Sequence, residues 1–449
     1  MRNKRCRSGQ NKEVDEGSDS KDFITELSDD IVVMILCLLP MKYAVVTGSV
    51  CKKWRFLWCN LRKLNFDGTG DLIGISRDWR LLNRKRQMYV YQVNDVIGSY
   101  NHPMVEEFCI RFDLDNDHRT LIDGWLKFAV KKKVETIELY FVDERHRSFL
   151  TFYNYNFPLS LSNRNDAVVE IPSLKKLYLK NVNVTEEILE QFLTNSPHLE
   201  TISIHGSGYL TKIRVSGRPL NIKHFEIDEC PMMSSIHLSD FDLVSFVYKG
   251  QPINLNLANL PNLCKLLCQG IVTFRNNIYK LLSSCALSLE VLSFVEHRSQ
   301  RFLELDSLPI LPNVKELTLT IGAHEDESLL QLTSIFKACP SLESLTVKLI
   351  WFTPVRRRGK VMHFATYLHE HLKLFQILGY YGRGSDLELA AYVMENAVGL
   401  QEIVIDPRYQ AWYPSVSEKD FSKKVECARS FAKMQLIPRS PVGVNLVIL

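Results

Sequence analysis

Residues 174–204 read Leu-Lys-Lys-Leu-Tyr-Leu-Lys-Asn-Val-Asn-Val-Thr-Glu-Glu-Ile-Leu-Glu-Gln-Phe-Leu-Thr-Asn-Ser-Pro-His-Leu-Glu-Thr-Ile-Ser-Ile, and the spacing of their apolar positions decides the fold. The stretch opens on apolar-x-x-apolar-x-apolar (Leu174, Leu177, Leu179) and closes on the same pattern (Leu199, Ile202, Ile204). Alternation within the pattern puts its last two side chains on one face of an extended strand. Between the copies, Ile188, Leu189, Phe192 and Leu193 fall on one face of a helix from Thr185 to Thr194. Asn195-Ser-Pro-His-Leu199 then ends that helix and starts the next strand. One such unit cannot bury its own apolar face, whereas stacked copies can.

The pattern runs through most of the chain. It stands at Val105-Phe108-Ile110, Val134-Ile137-Leu139, Ile222-Phe225-Ile227, Leu243-Phe246-Tyr248, Leu263-Leu266-Cys268 and Leu289-Leu292-Phe294. It returns at Val314-Leu317-Leu319, Leu342-Leu345-Val347, Leu372-Phe375-Ile377 and Leu400-Ile403-Ile405, with starts mostly 20 to 30 residues apart. That is the signature of a leucine-rich-repeat solenoid. Amphipathic helices are predicted at Glu327–Lys337 and Asp386–Asn396. In the middle, Leu210-Ile213-Val215 and Met233-Ile236-Leu238 repeat the template at half-spacing, which predicts extended backbone on the convex side. Residues 140–172 read as a loop insertion, and Thr353–Lys360 as a basic loop on the rim.

Ahead of the repeats, residues 23–66 concentrate apolar anchors at helical spacing. Ser28-Asp29-Asp30 marks a helix start, and the helix runs to Leu39 and stops at Pro40. It is apolar nearly all round, so it must meet more than one neighbour. A second helix fits Lys42–Thr47 and a third Ser49–Trp58, with Val50, Trp54 and Leu57 on one face. A unit of that size buries too little surface to stand alone, so part of its apolar face belongs to a partner.

Composition narrows the function. The 449 residues carry 55 Lys and Arg against 51 Asp and Glu, a net charge of +4 that demands neither nucleic acid nor a membrane surface. Basic runs such as Arg84-Lys85-Arg86 and Lys131-Lys132-Lys133 read as solvated faces. Eleven cysteines, most within apolar runs as Cys37 and Cys109 are, read as reduced core residues. Cys264 and Cys268 lack the second pair that zinc needs. The longest apolar run, Ile31–Leu39, is too short to span a bilayer. These features predict a soluble intracellular protein, cytoplasmic or nuclear, with no cofactor.

Nor does a catalytic constellation emerge. His369-Glu370-His371 lacks the i, i+4 spacing of a helical zinc pair, and no phosphate loop or nucleophile elbow occurs. Asp113, Asp115 and Asp117 alternate without the glycine and terminal glutamate of a calcium loop, and read as a polar turn. Gly379-Tyr-Tyr-Gly-Arg-Gly384 reads as a strand-to-helix turn.

The N-terminal segment resembles the F-box of plant F-box/leucine-rich-repeat proteins. The resemblance rests on Leu27, Ile31, Ile35-Leu36, Leu39-Pro40-Met41-Lys42, Ala44-Val45, Ser49-Val50, Lys53-Trp54-Arg55 and Leu57-Trp58. Ser28, Tyr43 and Gly48 depart from the family's pattern, and Tyr43 and Gly48 are predicted to loosen the second helix. The tail resembles the FBD region of the same family at Leu372–Ile377, Gly379–Arg383, Glu388–Ala390, Glu395–Ala397, Leu400–Ile403 and Gly443-Val444.

The resemblance implies an α/β architecture: a three-helix F-box, then a solenoid with parallel strands on the concave side and helices or extended segments on the convex side. It divides the chain into a disordered tail (1–21), F-box (22–68), solenoid (69–371) and FBD-like end (372–449). It further implies a non-catalytic subunit of an SCF-type ubiquitin ligase. Leu27, Ile31, Ile35, Leu36, Leu39, Pro40, Val50 and Trp54 would bind a Skp-family adaptor, and through it cullin and RING subunits. The solenoid would bind a protein substrate of unknown identity, with no nucleic acid or membrane partner. The alternative is a receptor or scaffold holding a small molecule or peptide in the solenoid.

Overall fold

A computed structural model describes residues 26–49, 52–73, 79–142, 153–160, 171–217, 220–269, 278–296, 308–323, 328–351, 367–408 and 418–449. The tail at 1–21, Val50 and the basic stretch Thr353–Lys360 lie outside the described residues.

The repeat template becomes a ladder. Fourteen parallel strands form one sheet, from Lys63–Asp67 to Asn445–Ile448. Equivalent positions of successive repeats meet across each step: Leu177 pairs with Ile202, Ile202 with Phe225, Phe225 with Phe246 and Phe246 with Leu266. Further on, Leu292 pairs with Leu317, Leu317 with Leu345, Leu345 with Phe375 and Phe375 with Ile403. These side chains are buried, so a continuous apolar column forms the core while the alternate residues face the concave side.

The convex layer changes along the solenoid. In chain order the α-helices are α1 (Asp29–Cys37), α2 (Met41–Val46), α3 (Trp79–Ser99), α4 (Arg119–Lys131), α5 (Glu186–Asn195), α6 (Ile278–Cys285), α7 (Thr333–Ala338), α8 (Gly384–Asn396) and α9 (Glu418–Leu436). α5 matches the sequence reading: Thr185 caps it by accepting the Ile188 N–H, and Ile188, Leu189 and Phe192 are buried. Between α5 and α6 the helices give way to a three-stranded parallel sheet, Lys212–Ser216, Ser235–Ser239 and Asn254–Ala258. The extended middle is thus as predicted, with the third strand an addition. Glu327–Lys337 is shorter than predicted as α-helix, its described part being a 3₁₀ turn at Leu329–Leu332 followed by α7.

Several elements were not anticipated. Of these, α3 carries a buried stripe of Leu82, Arg86, Tyr89, Val93 and Val96, continued by Tyr100. Arg86 corrects the reading of its basic run as solvated. It is 5% exposed, its Nε donates to the Asp113 carbonyl oxygen at 2.8 Å, and its Nη2 bonds the Asp113 carboxylate. Asp115 caps the 3₁₀ turn Asn116–His118, so the three aspartates do form a polar turn. In the stretch read as a loop, residues 155–158 pack on the solenoid: Tyr155–Asn156 pairs with Val182–Asn183, and Tyr155 is fully buried. The segment Gly379–Gly384 is the turn expected, joining Leu374–Leu378 to α8, with Asp386 Oδ2 accepting the N–H groups of Tyr381, Gly382 and Arg383. Finally, α9 packs on α8, where Tyr380 Oη donates to Gln435.

Candidate functional site

Sequence alone places α1 and α2 between a solenoid and a partner; burial decides which side chains serve which. Ser28 occupies the cap position, its carbonyl accepting the Val32 N–H at 3.1 Å, but its hydroxyl makes no capping bond. Val32 and Leu36 of α1 and Met41 and Ala44 of α2 turn inward. They join Trp54, Leu57, Trp58 and Leu61 in a core that continues into the first strand through Leu64 and Phe66. The third predicted helix is 3₁₀ instead, at Thr47–Ser49 and Lys52–Asn60. Tyr100 clamps this unit to α3 by donating to the Leu61 carbonyl oxygen at 2.7 Å, and Lys42 pairs with Asp71 at 3.1 Å. The solenoid therefore supplies the burial that so small a unit lacks.

The opposite face is uncovered. Ile31, Met34, Ile35 and Leu38 follow i, i+3, i+4, i+7 spacing and are all exposed, Leu38 at 85%. Leu39, Tyr43 and Val46 extend the patch. Isolated apolar side chains on a surface need no account, but a contiguous helical face of this size marks an interaction surface. Beside it runs a groove of about 720 Å³ in which Leu38, Leu39, Pro40 and Tyr43 face Lys63, Asn65 and Asp67 of the first strand.

The eight predicted docking residues thus separate. Ile31, Ile35, Leu39 and Pro40 lie on the exposed face and Leu27 is half-buried. Leu36 and Trp54 are buried and support the helices from beneath. Val50 lies outside the described residues. Met34, Leu38, Tyr43 and Val46, not among the eight, are exposed on the same segment; an all-round apolar helix with one inward stripe had to leave such a remainder.

Two sequence departures change meaning. Gly48 lies beyond α2, in the following 3₁₀ turn, so it does not loosen that helix. A Cβ there would lie 3.0 Å from Arg55 Cα, so glycine permits a close backbone approach. Tyr43 sits within an intact α2 and adds to the exposed face. Cys37, read as a core residue, is exposed beside the groove, while Cys109 is buried.

The concave face is largely self-neutralised. Arg111 bridges Asp67 and Glu138 across three strands at 3.1 and 2.6 Å, and Lys249 pairs with Asp228 at 3.0 Å. Lys180 lies 4.3 Å from the Tyr140 ring centroid. At the strand heads, Lys175 meets Glu135, Lys223 meets Glu200 and Lys373 meets Glu343. A shallow pocket of about 270 Å³ opens among Tyr140, Tyr178, Lys180 and His205.

His369 is a core histidine, ringed by Phe336, Tyr367 and Tyr392. Burial, with Lys337 nearby, pushes its pKa down to about 4. Among the described residues no group of three or more His, Cys, Asp or Glu could hold a metal ion, and no helix is long and apolar enough to cross a membrane.

Comparison with known proteins agrees with this geometry. Residues 24–66 match the F-box domain, and residues 104–437 match the family described as "At1g61320/AtMIF1, LRR domain". F-box/LRR-repeat protein 13 of Arabidopsis thaliana is 23% identical over 486 residues, covering 96% of this chain and 97% of that protein. A protein of the same plant named as FBD-associated F-box is 22% identical over 432 residues, covering 86% and 88%.

Proposed function

This chain belongs to the plant F-box/leucine-rich-repeat family, and from that premise we propose that it is the substrate-recognition subunit of an SCF-type ubiquitin ligase. The observation that carries the reading is the exposed face of α1 and α2, Ile31, Met34, Ile35, Leu38, Leu39, Tyr43 and Val46, on the segment that matches the F-box. That face docks on a Skp-family adaptor and, through it, on cullin and RING subunits. An interface of standard size, about 1,600 Å² in total, draws its affinity from a few such anchors.

The solenoid holds a protein substrate on its concave strands. The subunit performs no chemistry itself; it raises the effective concentration of a substrate lysine near charged ubiquitin.

Co-purification tests the assignment. Full-length protein captures a Skp-family adaptor, and Leu39→Asp with Pro40→Ala abolishes capture while hydrogen exchange in the solenoid strands is unchanged. Failure of the wild type to capture adaptor beside a working F-box control refutes the reading.

A further inference from the structure

The convex side carries a feature that adaptor docking and concave recognition both leave unused. Where helices give way to the three-stranded convex sheet, the layer thins, because a strand is narrower than a helix. The resulting depression is a pocket of about 340 Å³, whose lining includes Arg214, Ser235, His237, Asn254 and Asn256 of the sheet and Lys280 of α6. The helix is fixed against the sheet by Ser284 Oγ, which donates to the Leu257 carbonyl oxygen at 3.1 Å.

Register aligns the recognition groups. Arg214, His237 and Asn256 are direct cross-strand neighbours, so their side chains emerge side by side on one face. Asn256 Nδ2 lies 2.9 Å from His237 Nδ1. An imidazole nitrogen and a side-chain amide can each serve as hydrogen-bond partners, so His237 and Asn256 form one polar pair beside Arg214.

The charge here is unbalanced. The three strands hold Lys212, Arg214 and His237 and no Asp or Glu. Arg214 and Lys280 are exposed and make no ion pair among the described residues, in contrast with the paired lysines of the strand heads. Among the described residues no Asp or Glu lines the pocket; Glu186 instead accepts from Thr211 and the Lys212 N–H, Asp240 from Asn259, and Asp242 from Asn262.

We propose that this convex pocket binds a phosphoryl group, with Arg214 and Lys280 as its charged arms and the side chains of His237, Asn254 and Asn256 as further hydrogen-bonding groups. A guanidinium fork beside a compact ammonium suits a tetrahedral dianion. The volume also admits the moiety that carries it, whether a free polyphosphate or a phosphorylated side chain. The site does not depend on the ligase assignment and lies on the face opposite the strands assigned to substrate.

Calorimetric titration of the full-length chain with inorganic pyrophosphate, and with a phosphoserine pentapeptide against its unphosphorylated twin, tests this. Saturable one-site binding of pyrophosphate identifies a site for the free anion; binding of the phosphopeptide alone identifies a phosphorylated side chain; either supports the proposal. Each charge-assisted contact contributes roughly tenfold, so Arg214→Gln with Lys280→Gln weakens binding about a hundredfold. Lys423→Gln with Lys433→Gln on α9 removes the same charge and shifts affinity less than about twofold, the expectation for screened remote charges. Both substituted pairs are solvent-exposed, so melting temperature is unchanged and the loss is not one of folding. Absence of saturable binding by either probe overturns the proposal, as does equal loss in the two double variants.

Discussion

Leu38 offers the sharpest test of the docking face, because its exposure separates binding from stability. It is 85% exposed at the C-cap of α1, whereas Leu36, two residues earlier, is fully buried. Covering a leucine side chain contributes about 1.5–3 kcal/mol, and 85% of that is roughly 1.3–2.5 kcal/mol. Leu38→Ala should therefore weaken adaptor binding by about tenfold to seventyfold while changing stability by less than ~0.5 kcal/mol. Leu36→Ala instead opens a cavity under α1 and costs about 2–5 kcal/mol of F-box stability. Titration of full-length variants with purified adaptor, with hydrogen exchange across residues 29–60, reads both quantities. If Leu38→Ala binds within twofold of wild type, and Ile31→Ala and Met34→Ala do likewise, this face is not the docking face.

Three further perturbations probe the fold beneath the site. Gly48→Ala drives a methyl against Arg55 Cα and should cost about 1–3 kcal/mol, seen as faster exchange over residues 41–60; unchanged exchange would show that the turn relaxes freely. Arg86→Met strips a buried carboxylate of its guanidinium and should cost about 3–5 kcal/mol, loosening α3 and the first strands; a variant as protected as wild type would show that Asp113 needs no such partner. His369, held near a pKa of about 4 by burial, binds its proton more weakly in the folded state than unfolded, where the value is about 6.5. Its contribution is therefore complete above pH ~6.5 and is lost as pH falls toward 4, so wild type should lose melting temperature across that window more steeply than His369→Gln. Parallel pH profiles would refute the assignment.

The solenoid was legible because every repeat places the same two apolar residues on the same face, and stacking then has one register. Leu177 meets Ile202 for the same reason that Leu345 meets Phe375. The convex layer was legible only where local pattern was strong, as in α5 and the half-spaced strands. The N-terminal apolar set was legible, but not which of its members face the core and which face solvent. With apolar residues on nearly every side of α1, periodicity cannot say which pair faces the core; Val32 and Leu36 do so because Met41, Ala44 and Trp54 wait beneath them. Gly48 misled because a helix-interior penalty was assumed for a residue that tertiary contact places in a turn.

Arg86 reveals the deeper limit. Leu82, Arg86, Tyr89, Val93, Val96 and Tyr100 keep the 4-3-4-3-4 rhythm of one buried helical stripe, and an arginine occupies its second place. Judged by charge, Arg84-Lys85-Arg86 is a solvated run; judged by phase, its third member points at the core. Phase prevails when a partner waits inside, and the Asp113 carboxylate does so at the end of the neighbouring strand. The same logic separates the basic residues of the whole molecule. Lys175, Lys223 and Lys373 each face an acid on the preceding rung and are neutralised at the surface, whereas Arg86 is neutralised in the core. Arg214 and Lys280 face no such acid among the described residues, and both line the convex pocket.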